Sequence, residues 1–151
     1  MNYHNILHDN MLNGEGLRVV LFVSGCEHNC KGCHNPQTHN PKSGIEFTDN
    51  EINEIFEQLS KPYIKGLTLS GGDPLYKSNY ETILSLCKAI KKKFPQKDIW
   101  LYTGYRIEEI PEEERDILHY IDVIVDGRFV EELKDVNLPY VGSSNQRIIK
   151  L

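Results

Sequence analysis

The sequence predicts an α/β protein, an open, partial (β/α) barrel on about four or five mostly parallel strands. Short β-rich apolar runs alternate with stretches whose apolar residues recur at helical spacing, the pattern of right-handed βαβ crossovers. So few units cannot close an eight-stranded barrel. The least ordinary segments of the chain all follow strands, where ligands bind in parallel α/β folds.

Leu17 to Val23 is the first strand, an apolar run of the kind buried on both faces of a sheet. Asn35 to Gly44, with Pro36 and Pro41, reads as loop. Thr48 opens a helix with Glu51 completing a capping box, Ile52, Ile55, Phe56 and Leu59 form its apolar stripe, and Pro62 closes it. Leu67 to Ser70 is a short strand broken by Gly71-Gly72-Asp73-Pro74. Tyr80, Ile83, Leu84, Cys87 and Ile90 mark the buried face of a second helix, which ends before Pro95.

Ile99 to Tyr102 is the third strand, followed by the turn Thr103-Gly104-Tyr105. A shorter helix is expected over Glu112 to Tyr120, and a fourth strand over Ile121 to Val125, ending at Asp126-Gly127. Ile148 and Ile149 either add one more strand or pack across the sheet. With no repeat, low-complexity tract or composition break, residues 1–151 read as a single domain. The four post-strand loops then meet on one rim.

Composition narrows the function. Apolar residues make up 39% of the chain and charged residues 26%, and no run approaches the ~18 apolar residues of a membrane helix. Met1-Asn2-Tyr3-His4 lacks the basic start of a signal peptide, so a cytoplasmic protein is expected, with cysteines as metal ligands or free thiols. A net charge of −5 argues against a general nucleic-acid binder. Lys91-Lys92-Lys93 suits a solvated helix end.

Cys26, Cys30 and Cys33 form a C-x3-C-x2-C run directly after the first strand. Three thiols on one loop can hold three corners of a 4Fe-4S cluster, which normally takes four, leaving one iron open for chemistry. The alternative is structural zinc, with His28, His34 or His39 as fourth ligand; the absence of a second C-x2-C pair weighs against it. Cys87 lies on the apolar stripe of its helix and is expected to pack as a small hydrophobe. Gly71-Gly72-Asp73-Pro74 is either a tight turn or a cradle in which bare backbone and one carboxylate receive an ammonium group.

Together, Cys26-x3-Cys30-x2-Cys33 and Gly71-Gly72-Asp73-Pro74 resemble the radical S-adenosylmethionine (radical SAM) superfamily. Asn13-Gly14-x-Gly16-x-Arg18, Leu67 to Tyr76, Trp100 to Tyr105, Val123 to Gly127 and Gly142 to Arg147 narrow the resemblance. They are similar to the family of activating proteins of anaerobic ribonucleoside-triphosphate reductases. Two positions depart from wider patterns: Gly32 stands where many superfamily members carry an aromatic, and Val141 where the family usually has an arginine.

The resemblance implies that Cys26, Cys30 and Cys33 hold a 4Fe-4S cluster whose open iron is chelated by S-adenosyl-L-methionine. Reductive cleavage would give methionine and a 5′-deoxyadenosyl radical, which takes a hydrogen atom from a glycine of the partner reductase. It further implies that Gly71, Gly72, Asp73 and Pro74 receive the methionine amino group, and that Gly32, Cys33 and His34 lie against the adenine. Thr103 and Asp126 match strand-end positions near the cofactor; their plain alternatives are a turn residue and a cap. Asn145, Gln146 and Arg147 read as solvated tail or as a structural or partner-facing segment. A flavodoxin-type protein is the implied electron donor, and a homodimer is compatible with all of this. Activation of a different glycyl-radical enzyme, radical chemistry on a small substrate, and a Cys3His zinc interaction module are the alternatives.

Overall fold

In the computed structural model, which describes residues 1–151, one seven-stranded sheet organises the chain. The strands are β1 (Asn2–Asn10), β2 (Arg18–Val23), β3 (Ile45–Glu46), β4 (Gly66–Gly71), β5 (Asp98–Tyr102), β6 (Val123–Asp126) and β7 (Arg147–Lys150), in the order β3-β1-β2-β4-β5-β6-β7. Neighbours β2, β4, β5 and β6 run parallel, whereas β1–β3, β1–β2 and β6–β7 pair antiparallel. The sheet is mixed α/β and not closed.

The four inner strands and the tail strand fall where the sequence predicts. The count of four or five is corrected to seven by β1 and β3, and "mostly parallel" to three parallel pairings among six. β1 is largely polar and partly exposed, and β3 is two exposed residues, so neither has an apolar run to announce it. They lie toward one side of the sheet, where backbone pairing holds them and Tyr3 and Ile6 pack against the core.

Helices α1 (Asp49–Leu59) and α2 (Tyr80–Lys93) connect the parallel strands. Thr48 and Glu51 form the expected capping box. Glu112–His119 is helical but 3₁₀ rather than α. Its buried residues, Glu114 and Ile117, are three apart, and a three-residue turn stacks that spacing on one line.

Alternation along the strands divides the interior. Val19, Leu21, Val23, Leu67, Leu69, Ile99, Leu101 and Ile124 join Ile55, Leu59, Ile83, Cys87 and Ile90 in one core of 22 buried residues. Trp100, Val123 and Val125 belong to a separate cluster with Tyr102, Tyr140 and Val141. Arg18 is buried beside them: it donates to Thr68 Oγ1 (2.8 Å), Leu67 O (3.0 Å) and Glu15 O (2.9 Å), pairs with Asp98 (2.6 Å) and faces the Trp100 ring. Such complete pairing is what permits a cation inside a protein. Gly14 lies over this knot; a Cβ there would meet Arg18 at 2.8 Å.

Candidate functional site

The four post-strand loops meet at a cavity of about 520 Å³, within the range of small-molecule sites. Cys26, Cys30 and Cys33 line it from the loop after β2; Gly71, Gly72 and Asp73 from the end of β4; Thr103 and Gly104 from the turn after β5; Gly127 and Phe129 from the turn after β6. Tyr102, Tyr140, Val141 and Gln146 form further wall, and Met11 and Leu12 stand exposed at its edge.

The cysteine loop is fixed by backbone. Gly25 N–H donates to Thr38 O (2.6 Å), Cys26 N–H to His39 O (3.1 Å) and Cys33 N–H to Cys30 O (3.2 Å). The paired glycines explain how the β4 loop reaches it. Gly71 has φ +112°, and a Cβ there would lie 2.4 Å from Val23 N; a Cβ on Gly72 would lie 2.5 Å from Gly25 O. Only glycine admits this approach, after which Gly72 N–H donates to Val23 O (2.8 Å) and Asp73 N–H to Gly25 O (2.7 Å).

Asp73 is 2% exposed and ties three loops together. Its Oδ2 accepts from Thr103 Oγ1 (2.9 Å) and Gly104 N–H (3.0 Å) and meets His28 Nε2 at 2.6 Å; its Oδ1 accepts from Leu75 N–H (2.9 Å). The carboxylate is thus already engaged by the protein, and what it presents to the cavity is a rigid frame. His28, inside the C-x3-C segment, stacks edge-on against Tyr105, whose hydroxyl donates to Glu27 (2.6 Å).

Thr103, Cys33 and His34 line the cavity, and the His34 ring packs against Phe129 at 5.0 Å. Gly32, Pro74 and Asp126 do not line it. Gly32 takes φ +75° at the turn ahead of Cys33. Pro74 is buried behind Asp73. Asp126 points away: its carboxylate accepts from Ile107 N–H (2.7 Å) and from Arg147 Nε (3.0 Å) and Nη2 (2.5 Å), and Arg147 also pairs with Glu108 (3.0 Å). Those two acids raise the Arg147 pKa further.

Asn145, Gln146 and Arg147 are anchored rather than solvated tail. Asn145 donates to Arg128 O (2.8 Å), while Gln146 accepts from Gly142 N–H (2.8 Å) and donates to Gly127 O (2.9 Å). Val141 is a cavity wall. Sequence reasoning missed the framing role of His28 and the walls Tyr102, Phe129 and Tyr140. The signal for His28 was its place between two cysteines, four residues' span on one loop.

The donor chemistry suits an iron–sulfur cluster. Burial, reinforced by the nearby Asp73, Cys30 and Cys33 charges, pushes the Cys26 thiol up to about 11, and burial raises Cys30 as well. Such thiols ionise when a metal replaces the proton. Three cysteines on one loop match the ligand count of a 4Fe-4S cluster with one open iron. Cys87 is fully buried in the helix-covered core, where burial pushes its thiol up to about 12; it packs, as expected.

Residues 12–149 match the family described as a 4Fe-4S single cluster domain. The chain is also similar along nearly its whole length to anaerobic ribonucleoside-triphosphate reductase-activating proteins. It is 50% identical over 148 residues to that of Enterobacteria phage T4 (98% of this chain, 93% of that protein). It is 45% identical over 150 residues to that of Haemophilus influenzae (98% and 97%) and over 148 residues to that of Escherichia coli K12 (97% and 96%). The chain belongs to the family of anaerobic ribonucleoside-triphosphate reductase-activating proteins. No helix is long and apolar enough to cross a membrane.

Proposed function

We propose that this chain is a radical SAM activase, which uses a 4Fe-4S cluster and S-adenosylmethionine to install a glycyl radical on an anaerobic ribonucleoside-triphosphate reductase. The open sheet serves as the partial barrel of that superfamily. The observation that carries this is the meeting of three loop thiols with the Gly71–Asp73 and Thr103 loops in one cavity. Family membership supports the target.

Bound there, cluster and cofactor supply one-electron cleavage of a sulfonium and hydrogen-atom abstraction from a glycine. The chain contributes position and dryness. Cys26, Cys30 and Cys33 hold three corners of the cluster, losing their thiol protons to do so. Gly71 and Gly72 offer backbone to the methionine amino group, with Asp73 and Pro74 fixing their path. Cys33 and His34, with the turn at Gly32, flank the adenine. Thr103 closes the cavity beside Asp73, and Asp126 acts at one remove, holding β7 through Arg147. Tyr102, Phe129 and Tyr140 exclude water. The exposed edge at Met11 and Leu12 leaves room for a peptide of the reductase. A flavodoxin-type protein delivers the electron, in the cytoplasm.

Protein purified without oxygen should be brown, with about four irons per chain. Given a reductant and S-adenosylmethionine, it should form methionine and 5′-deoxyadenosine in equal amounts. A colourless, zinc-loaded protein would overturn the proposal in favour of an interaction module.

A further inference from the structure

The three loop sulfurs are not met alike. The backbone N–H groups of His28 and Phe129 act on the Cys26 and Cys30 thiols only by offsetting part of the burial that raises them. Cys33 accepts from the backbone N–H of Asn35 (3.4 Å) and is also reached by a side chain, His39 Nε2, at 3.4 Å. His39 is half-buried and lines the cavity. Its backbone carbonyl receives the Cys26 N–H at 3.1 Å, and its own N–H is fixed on Pro36 O at 3.2 Å. One residue therefore holds the first and the last cysteine of the motif, the first through backbone and the last through its ring.

From this we infer that His39 is a positioning residue that sets the reduction potential of the centre through an N–H···S hydrogen bond to Cys33; the inference rests on the cluster assignment above. A sulfur bound to iron has no proton to give, so the contact persists only with Nε2 carrying the hydrogen. A donor on a ligand sulfur withdraws charge from it and favours the reduced, more negative centre; such bonds are among the factors that set cluster potentials. The geometry assigns His39 this work rather than that of a fourth ligand, because its nitrogen faces the Cys33 sulfur at hydrogen-bonding distance. The other groups around Cys33, Asn35 and Cys30, act through backbone and do not change with side-chain substitution.

The test compares the parent with His39→Phe, which keeps a ring and loses the donor, and His39→Gln, which keeps an N–H. Each is reconstituted without oxygen, assayed for iron, and titrated spectroelectrochemically in the absence of S-adenosylmethionine. All three should load the same iron. His39→Phe should be harder to reduce by about tenfold in the equilibrium constant, which is about 59 mV for one electron, and His39→Gln should return toward the parent. Iron loss in His39→Phe rescued by His39→Gln also supports the bond. A fully loaded His39→Phe at the parent potential would overturn it, as would equal iron loss in both variants, because a retained N–H would then rescue nothing. A parent that takes up no iron would overturn the cluster assignment, a result recognisably different from either.

Discussion

The two faces of the sheet are filled by different materials. Under α1 and α2, Leu21, Leu69, Ile83 and Ile90 are fully buried in an apolar core. On the other face, Arg18, Thr68 and Trp100 lie beneath loops, and toward the carboxyl ends of the strands the thiols, Asp73 and Thr103 open into the cavity. The helix-covered face supplies stability through area removed from water. The loop-covered face gives up part of that burial for polar groups that hold one another in place. Cysteine marks the difference: Cys87 is sealed on the first face, and the other three border the cavity on the second.

If that division is right, substitutions on the two faces should separate binding from stability. The largest effect belongs to Cys26→Ala, Cys30→Ala or Cys33→Ala, each of which should abolish the intact cluster and all radical formation while the fold persists. Iron analysis beside circular dichroism checks this; full iron in any one of them would remove that cysteine from the ligand set.

Asp73→Ala should come next. It deletes the acceptor for Thr103, Gly104 and His28, so the loops lose their frame while the three thiols remain. The loosened frame should weaken S-adenosylmethionine binding by about ten- to a hundredfold, the size of one lost hydrogen bond to a charged group. Equilibrium binding to cluster-loaded protein measures it, and unchanged affinity would reduce Gly71-Gly72-Asp73-Pro74 to a turn.

Glu114 gives a smaller, pH-dependent effect. Burial first, then the neighbouring Glu113, Asp73 and Glu27 charges, push its carboxyl up to about 7, and its buried Oε2 has no partner. The folded state therefore keeps a proton that the unfolded chain has already released, so stability falls as pH rises from the ordinary carboxyl range through about 7. Tyr80 and Tyr105 also face this carboxyl, and both remain protonated in that window because burial raises them further. Glu114→Gln should be more stable than the parent by about 1 kcal/mol at pH 8, after allowance for solvent screening, and equal to it near pH 4. Thermal unfolding at both pH values reads the difference, and a gain that does not depend on pH would refute the cause.

Cys87→Ala should touch the cavity least, costing about 1 kcal/mol of packing with iron content untouched. Lost iron there would overturn the ligand assignment.

Much of this was legible in the residues. The apolar runs of β2, β4, β5 and β6 and the cap at Thr48 are local signals, and each stands where the sequence places it. The C-x3-C-x2-C run and the paired glycines are likewise local signals, and the structure brings both to one cavity. What escaped was set by partners distant in sequence. β1 is polar and exists because β2 and β3 accept its backbone. Asp73 reads as a free carboxylate until His28 and Thr103, 45 and 30 residues away, are seen to claim it. Asp126 reads as a cofactor-facing group until Arg147, 21 residues on, turns it the other way.

The central claim is that the loop-covered face generates a radical for another protein. It is tested most directly by electron paramagnetic resonance on an anaerobic ribonucleoside-triphosphate reductase incubated with the reduced, cluster-loaded chain and S-adenosylmethionine. A glycyl radical should appear on the reductase, in step with 5′-deoxyadenosine and dependent on all three loop cysteines. A cluster-loaded chain that cleaves the cofactor and leaves the reductase without a radical would contradict the account.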